Sequence, residues 1–235
     1  VHDLRTTLRR LIATLDLMEE IMETKKIRSL RKSLKRQLDS LRSLRDTQVQ
    51  EKLLRQDPAL KGFVKFLQKR DRAEKKVVRK TLLRVRVSKL NDDLPRLGEN
   101  PVFKNRSAQK RLVAVIRRKF ENLRDFSQKV IPTDARTVHA TRIQFKKYRY
   151  ASEALETAHL LRPQTKTNLK KLQDLLGDIQ DATVLIKSLL SYLATQRRPP
   201  SSAIIFLRGQ EDRQKDLIAQ FQRQKSQLIS AVRPG

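Results

Sequence analysis

Leucine and other apolar residues recur along this chain at intervals of three and four, the spacing that gathers side chains on one stripe of an α-helix. Leu4, Leu8, Leu11 and Leu15 open the pattern and predict a helix from His2 to about Glu23. Ile27, Leu30, Leu34, Leu38, Leu41 and Leu44 predict a second, running to about Leu54 ahead of the Asp57-Pro58 stop. A third is expected from Ala59 to about Leu90 on the stripe Leu60, Phe63, Val64, Leu67, Val77, Thr81 and Val85, closing before Pro95, Gly98 and Pro101. Val85-Arg86-Val87 alternates over too short a run to indicate a strand. Leu112, Val115, Ile116, Leu123, Phe126 and Val130 predict a fourth helix from about Ser107 to Ile131, because Pro132 disfavours helix at the residue before it. Asp134 to Leu161, Gln164 to Gln196 and Ala203 to Ser230 read as three more, separated by Pro163 and by Pro199-Pro200-Ser201-Ser202. The expected fold class is all-α.

The chain also resembles itself. At an offset of 137, Val1-His2-Asp3-Leu4-Arg5 through Leu11 lies on Val138-His139-Ala140-Thr141-Arg142 through Tyr148, and His, Arg and a two-cation pair coincide. At an offset of 135, Leu34-Lys35-Arg36 lies on Leu169-Lys170-Lys171, Asp46 on Asp181 and Val49 on Val184. Each half therefore opens with a helix headed by His and followed by a second helix. We expect a single domain over 1–235 built from an N-terminal helical half, 1–131, and a C-terminal half, 132–235, as two helical bundles related by a pseudo-two-fold axis. No linker is long enough to free two domains, and the second half has no fourth helix in the pattern.

Charge narrows the partner. Lys and Arg number 54 against 25 Asp and Glu, a formal net charge of +29, and such an excess concentrates any polyanion nearby. Hydrophobic residues, at 38%, still suffice to bury a core at this length. With no Cys there is no disulfide framework and no thiolate site, which fits a reducing compartment. No apolar run reaches the roughly 18 residues of a membrane span, and no stretch reads as a signal peptide.

At about 100° per residue, His2, Arg5 and Arg9 fall within about 60° of one another and well away from the Leu stripe. His139, Arg142 and Lys146 form the matching row, and a two-fold relation would set the rows face to face across a channel lined with cations. Arg offers forked donors to phosphate oxygens, Lys a mobile charge, and His a donor that gains charge as pH falls. Lys35 and Lys170, one turn after Arg31 and Lys166, would extend the wall from the second helix of each half. A solvated basic face is the plain alternative for each residue taken singly, and the repetition of the pattern is what argues against it. Asp46 and Asp181 read either as carboxylates orienting a wall Arg or, by preference, as ordinary ion-pair partners. Tyr148, aligned with Leu11, is expected to pack in the core.

His2 and His139 have no His or Cys at ligand spacing, so no metal site is expected, and no cofactor. His159 has no counterpart at either offset and reads as structural or exposed. No Gly-rich phosphate cradle and no acid cluster for magnesium is present, so no catalytic residue is assigned and the chain is not expected to be an enzyme. A nucleic-acid-binding helical scaffold is the alternative function; aromatics are only 5%, which offers few stacking platforms for bases. Binding to a membrane surface ranks third.

Val1 to Arg5, Leu41 to Asp46, Val138 to Tyr150 and Leu169-Lys170-Lys171-Leu172-Gln173-Asp174 through Asp181 together resemble the CHAD family, the conserved histidine α-helical domain, over nearly the whole chain. The resemblance implies two helical bundles around a basic central channel that binds inorganic polyphosphate, and location in cytoplasmic polyphosphate granules. By motif position it assigns the anion to His2, Arg5, Arg9, Arg10, His139, Arg142, Lys146 and Lys147, with Lys35 and Lys170 alongside. Ala140-Thr141 and Arg42 depart from the usual family pattern, so helix contact there is expected to differ. The Glu-x-Glu-x-Lys signature of a triphosphate-hydrolysing domain found ahead of some relatives is absent, and the family resemblance implies no catalysis.

Overall fold

A computed structural model describes residues 1–22, 24–82, 105–161 and 166–234, with the side chains of Leu82 and Lys166 excepted. The described residues form seven α-helices, one 3-10 turn and no strand: α1 (His2–Glu19), α2 (Lys25–Leu54), the turn Pro58–Leu60, α3 (Lys61–Leu82), α4 (Arg106–Gln128), α5 (Ala135–Thr157), α6 (Lys166–Leu193) and α7 (Ser201–Ser230). The breakers Pro95, Gly98, Pro101 and Pro163, the end of the third expected helix and the Val85 alternation lie outside the described residues.

Side-chain caps set several of the boundaries. Thr24 accepts from the Ile27 amide at 3.2 Å, Asp57 from Ala59 at 2.9 Å, Asn105 from Ser107 at 2.8 Å and Asp134 from Arg136 at 2.9 Å, each satisfying a donor that the first helical turn leaves free. The cap at Thr24 explains why α1 stops at Glu19 rather than about Glu23. The chain turns through Glu20 and Ile21, whose amides bond back to Leu17 and Met18, and so frees Thr24 to start α2.

Helix α1 packs on α2 and on α5, α2 on α3, α4 on α5, α5 on α6 and α6 on α7. Three hydrophobic clusters hold these contacts. Leu8, Leu15, Ile27, Leu34 and Leu41 join α1 to α2 and reach Val78 of α3. Phe63, Leu67, Leu189, Tyr192 and Leu207 join the adjoining ends of the α2–α3 and α6–α7 pairs. The largest cluster runs through Ile116, Phe120, Phe145, Tyr148, Leu172 and Phe221. Although α4 precedes residue 131, its apolar face lies in this last cluster with α5, α6 and α7, so hydrophobic packing follows a different line from the repeat.

Three stripe assignments are corrected. In α4, Phe126 is 38% exposed, and Phe120, which the expected stripe left out, is buried. In α3 it is Val78 that is buried and Val77 that is 62% exposed, because the core-facing row passes through Asp71, a carboxylate that the apolar pattern skipped. Asp71 is held by Lys75 at 2.6 Å and by the Gln48 amide at 3.2 Å, which makes its burial tolerable. In α1, Leu4 is exposed while Leu8 and Leu15 are buried. Tyr148 is fully buried as expected, and its hydroxyl donates to the Val232 carbonyl at 2.5 Å.

Candidate functional site

The α1–α5 contact carries the charges that the repeat pairs. Arg5 on α1 is buried, and its guanidinium donates to the Leu38 carbonyl of α2 at 3.3 Å. Arg9, one turn on, is half-buried, as are Arg142 and Lys146 on α5. These four side chains, equivalent in pairs at the offset of 137, lie close enough to act on one another's ionisation. Two carboxylates join them: Asp46 from α2 acts on Arg5, Arg142 and Lys146, and Asp181 from α6 acts on Arg142. Arg42 and Arg45 of α2 complete the surround. The rows of both halves thus meet at a seam between α1, α2, α5 and α6.

Desolvation dominates the electrostatics. Burial, then the neighbouring Arg9, pushes the Arg5 guanidinium down to about 10, with Asp46 opposing. Lys146 is pushed down to about 6, first by burial and then by Arg142, Arg9 and Arg5, and Asp46 only partly opposes this. Burial lowers Arg142 against the pull of Asp181. Burial likewise raises Asp46 against four arginines, and raises Asp181, whose surface is open to solvent but crowded by protein. Among the described residues, Arg142 and Lys146 make no hydrogen bond or ion pair within 4 Å. Two part-buried basic groups with only through-space partners are electrostatically unsettled, and an anion entering beside them would favour the charged form of both.

The remaining predicted residues distribute unevenly. His139 is half-buried, its Nδ1 hydrogen-bonded to Gln180 of α6, and it lines a recess too tight for a water molecule with Arg142, Leu176 and Thr183. His2 is exposed in the first turn of α1. Arg10 is exposed and faces Glu153 of α5 at 3.7 Å, and Lys147 is exposed and acts on Lys119 of α4. Lys35 and Lys170 are exposed, and neither is among the charges that act most on Arg5, Arg142 or Lys146. Arg31 is engaged by Asp16 at 3.2 Å and Glu19 at 3.0 Å, an α1–α2 tie rather than a wall, and the Lys166 side chain lies outside the described residues. The expected wall from the second helices is therefore supplied two to three turns further along α2, by Arg42, Arg45 and Asp46. Arg45 was not singled out from the sequence, because the 135 offset sets it on uncharged Gln180; its place one residue before the repeated Asp46 was the available signal.

A larger recess of about 450 Å3 between α6 and α7 sets Lys171 against Asp174 and Asp178, a balance that suits an anion poorly. Among the described residues no group of three or more His, Cys, Asp or Glu could hold a metal ion, and no helix is long and apolar enough to cross a membrane. The seam offers dense, forked and point-like donors, an arrangement suited to holding an anion.

The family model described as the CHAD domain matches residues 1–190. The crystal structure of the CHAD domain from the plant Ricinus communis is similar in fold, with a TM-score of 0.67 and 23% sequence identity over 100% of this chain and 82% of that one. None of the curated proteins matches the chain.

Proposed function

Because the chain belongs to the CHAD domain family, we propose that it binds inorganic polyphosphate, without catalysis, in a basic central channel between two helical bundles related by a pseudo-two-fold axis. What supports this most is the convergence of Arg5 and Arg9 from one half with Arg142 and Lys146 from the other. A linear chain of phosphates presents an even row of charge, and a row of cations drawn alternately from two helices can meet it along its length. Arg42 and Arg45 widen the row, and His139 beside the recess adds a donor at one side. The exposed His2, Arg10, Lys35, Lys147 and Lys170 would draw the polyanion toward the seam by their field, less by fixed contacts. The same reading places the protein on polyphosphate granules in the cytoplasm.

Nucleic acid is the competing polyanion, and the test sets the two against each other. Long-chain polyphosphate, single-stranded RNA and duplex DNA of matched charge are titrated in competition at physiological salt. Preference for polyphosphate is the expected result. Equal or tighter binding of RNA or DNA would overturn it in favour of a nucleic-acid scaffold.

A further inference from the structure

We propose that Arg149 on α5 is a further phosphate-binding residue of the seam, and that the Glu153 carboxylate holds its place there as an internal anion, which a polyphosphate chain displaces. The inference rests on the polyphosphate reading and extends that same site by one helical turn. Arg142, Lys146, Arg149 and Glu153 follow one another at spacings of four, three and four, so they fall within about 60° on one stripe of α5. All four are half-buried, between the core residues Phe145 and Tyr148 on one side and the exposed Ile143 and Lys147 on the other. The basic row therefore runs past Lys146 to Arg149 before an acid ends it. Comparing the two halves conceals this, because at the offset of 137 Arg149 falls on Ile12.

Glu153 is held as an anion shared by two helices. Arg149 Nε donates to Glu153 Oε1 at 2.6 Å, and its guanidinium lies 5.3 Å from the centre of the Tyr150 ring. From α1, Arg10 Nε approaches Oε2 at 3.7 Å, inside the reach of charge and outside that of a hydrogen bond. Oε2 is shut off from solvent and accepts no hydrogen bond among the described residues. A carboxylate set between two guanidiniums yet bonded on one oxygen alone is incompletely satisfied. Helix stability does not account for the pair, since an arginine four residues ahead of a glutamate is the weaker order on a helix. The copy of Glu153 in the other half, Asp16, is by contrast bonded to Arg31 of α2 at 3.2 Å, a tie between helices.

An inner phosphate of a long chain matches what Glu153 presents. Both carry a single negative charge over two free oxygens, and both suit the forked donors of arginine. The phosphate comes joined to neighbours that Arg142 and Lys146 hold at the same time, so its exchange for the carboxylate is an intramolecular step favoured by the rest of the chain. Glu153, only partly buried, then turns to solvent, while the Tyr150 ring keeps the Arg149 guanidinium in the row. A single small anion has no such neighbours, and Glu153 keeps it out.

The experiment compares binding of long-chain polyphosphate by the whole chain and its variants at one salt concentration, with urea denaturation alongside to separate lost folding from lost binding. Glu153→Gln keeps the shape and removes the internal anion. It should tighten binding by about fivefold, the scale of a like charge removed from a few ångströms away in a wet site. Asp216→Asn removes the same charge from an exposed position on α7 and should leave affinity close to wild type. Adding Arg149→Gln to Glu153→Gln should cancel the gain. Binding by Glu153→Gln no tighter than wild type overturns the displacement, and an equal gain in Asp216→Asn overturns it in favour of net charge. A gain that survives Arg149→Gln overturns the assignment to Arg149. In each of these cases wild type still binds and the polyphosphate reading stands. Failure of wild type to bind polyphosphate overturns that reading and the subsite with it.

Discussion

Asp46 on α2 raises the pKa of Asp181 on α6 through space, although the two stand 135 residues apart in the chain. They are also the carboxylates that the repeat pairs, so the same acid reaches the same seam once from each half. Each is raised by burial in spite of the arginines around it, and Arg142 acts on both. Within the seam they temper the mutual repulsion of the cations. To an arriving phosphate chain they are like charges.

Replacing both by Asp46→Asn and Asp181→Asn should therefore tighten polyphosphate binding by about fivefold, the equivalent of about 1 kcal/mol for like charges a few ångströms apart in a wet site. Titration of the double variant beside wild type at one salt concentration measures it. Weaker binding would show that the carboxylates hold the arginines in a required geometry.

Arg5→Ala with Arg142→Ala should weaken binding by about a hundredfold or more, since each of the two charge-assisted hydrogen bonds lost is worth about 1.5–3 kcal/mol. Lys61→Ala with Lys69→Ala removes the same formal charge from exposed positions on α3 and should cost far less. Equal losses would mean that the whole surface acts. Because Arg5 also donates to the Leu38 carbonyl, its variant should lose stability as well, so Arg142→Ala alone is the cleaner measure of binding.

Affinity should fall steeply with salt, with a slope approaching about 0.7–0.9 per phosphate neutralised, as counterion release requires of linear polyanions. Titrations across a salt series test this. A flat dependence would point to recognition by neutral hydrogen bonds.

Lys146 ties stability to pH in the absence of any ligand. Its folded value of about 6 lies below the ordinary 10.5, so between the two the unfolded chain binds more protons, and this group makes stability rise with pH over that window. Lys146→Met has no proton to exchange. The wild-type advantage over it should widen as pH rises from about 6 toward 9 in urea denaturation, and parallel curves would refute the effect.

His159 adopts a positive φ of 56° just past α5, where its amide bonds to Glu156 and the Leu160 amide to Leu155. Glycine takes that conformation without the Cβ clash, so His159→Gly should stabilise the fold by about 0.5–1 kcal/mol, read as a shift of the denaturation midpoint. Its polyphosphate affinity should match wild type.

The helices were legible in the sequence where a breaker stood ahead of them, as at Asp57-Pro58 and before Asp134, and the apolar stripe of α2 needed only periodicity, whereas the caps at Thr24 and Asn105 and the burial of Phe120 in place of Phe126 were not read. The stripe of α3 was harder because Asp71 occupies a core-facing position, and a charge there shifts the apparent row from Val78 to Val77. Periodicity shows that α4 has an apolar face and is silent on which helices will cover it. Within the site, the repeat identified Arg5, Arg9, Arg142 and Lys146 because both copies keep a cation. Arg10 and Lys147 share that pairing yet lie one residue further round the helix, about 100° away, and so face outward. Arg45 escaped notice because its counterpart is Gln180, and a comparison of copies finds only what both have kept.

The bond from Tyr148 to the Val232 carbonyl bears on how the chain is made as well as how it is held. Tyr148 emerges during synthesis 84 residues ahead of its partner, and Phe221 joins the same cluster almost as late. Helix α1 waits in turn for α5, which follows it by more than a hundred residues. The α1–α2 and α2–α3 hairpins can form as they appear, since their contacts are local. Closure of the largest cluster must await the last helix, and until then an uncovered apolar face and an unshielded row of cations travel together on the nascent chain.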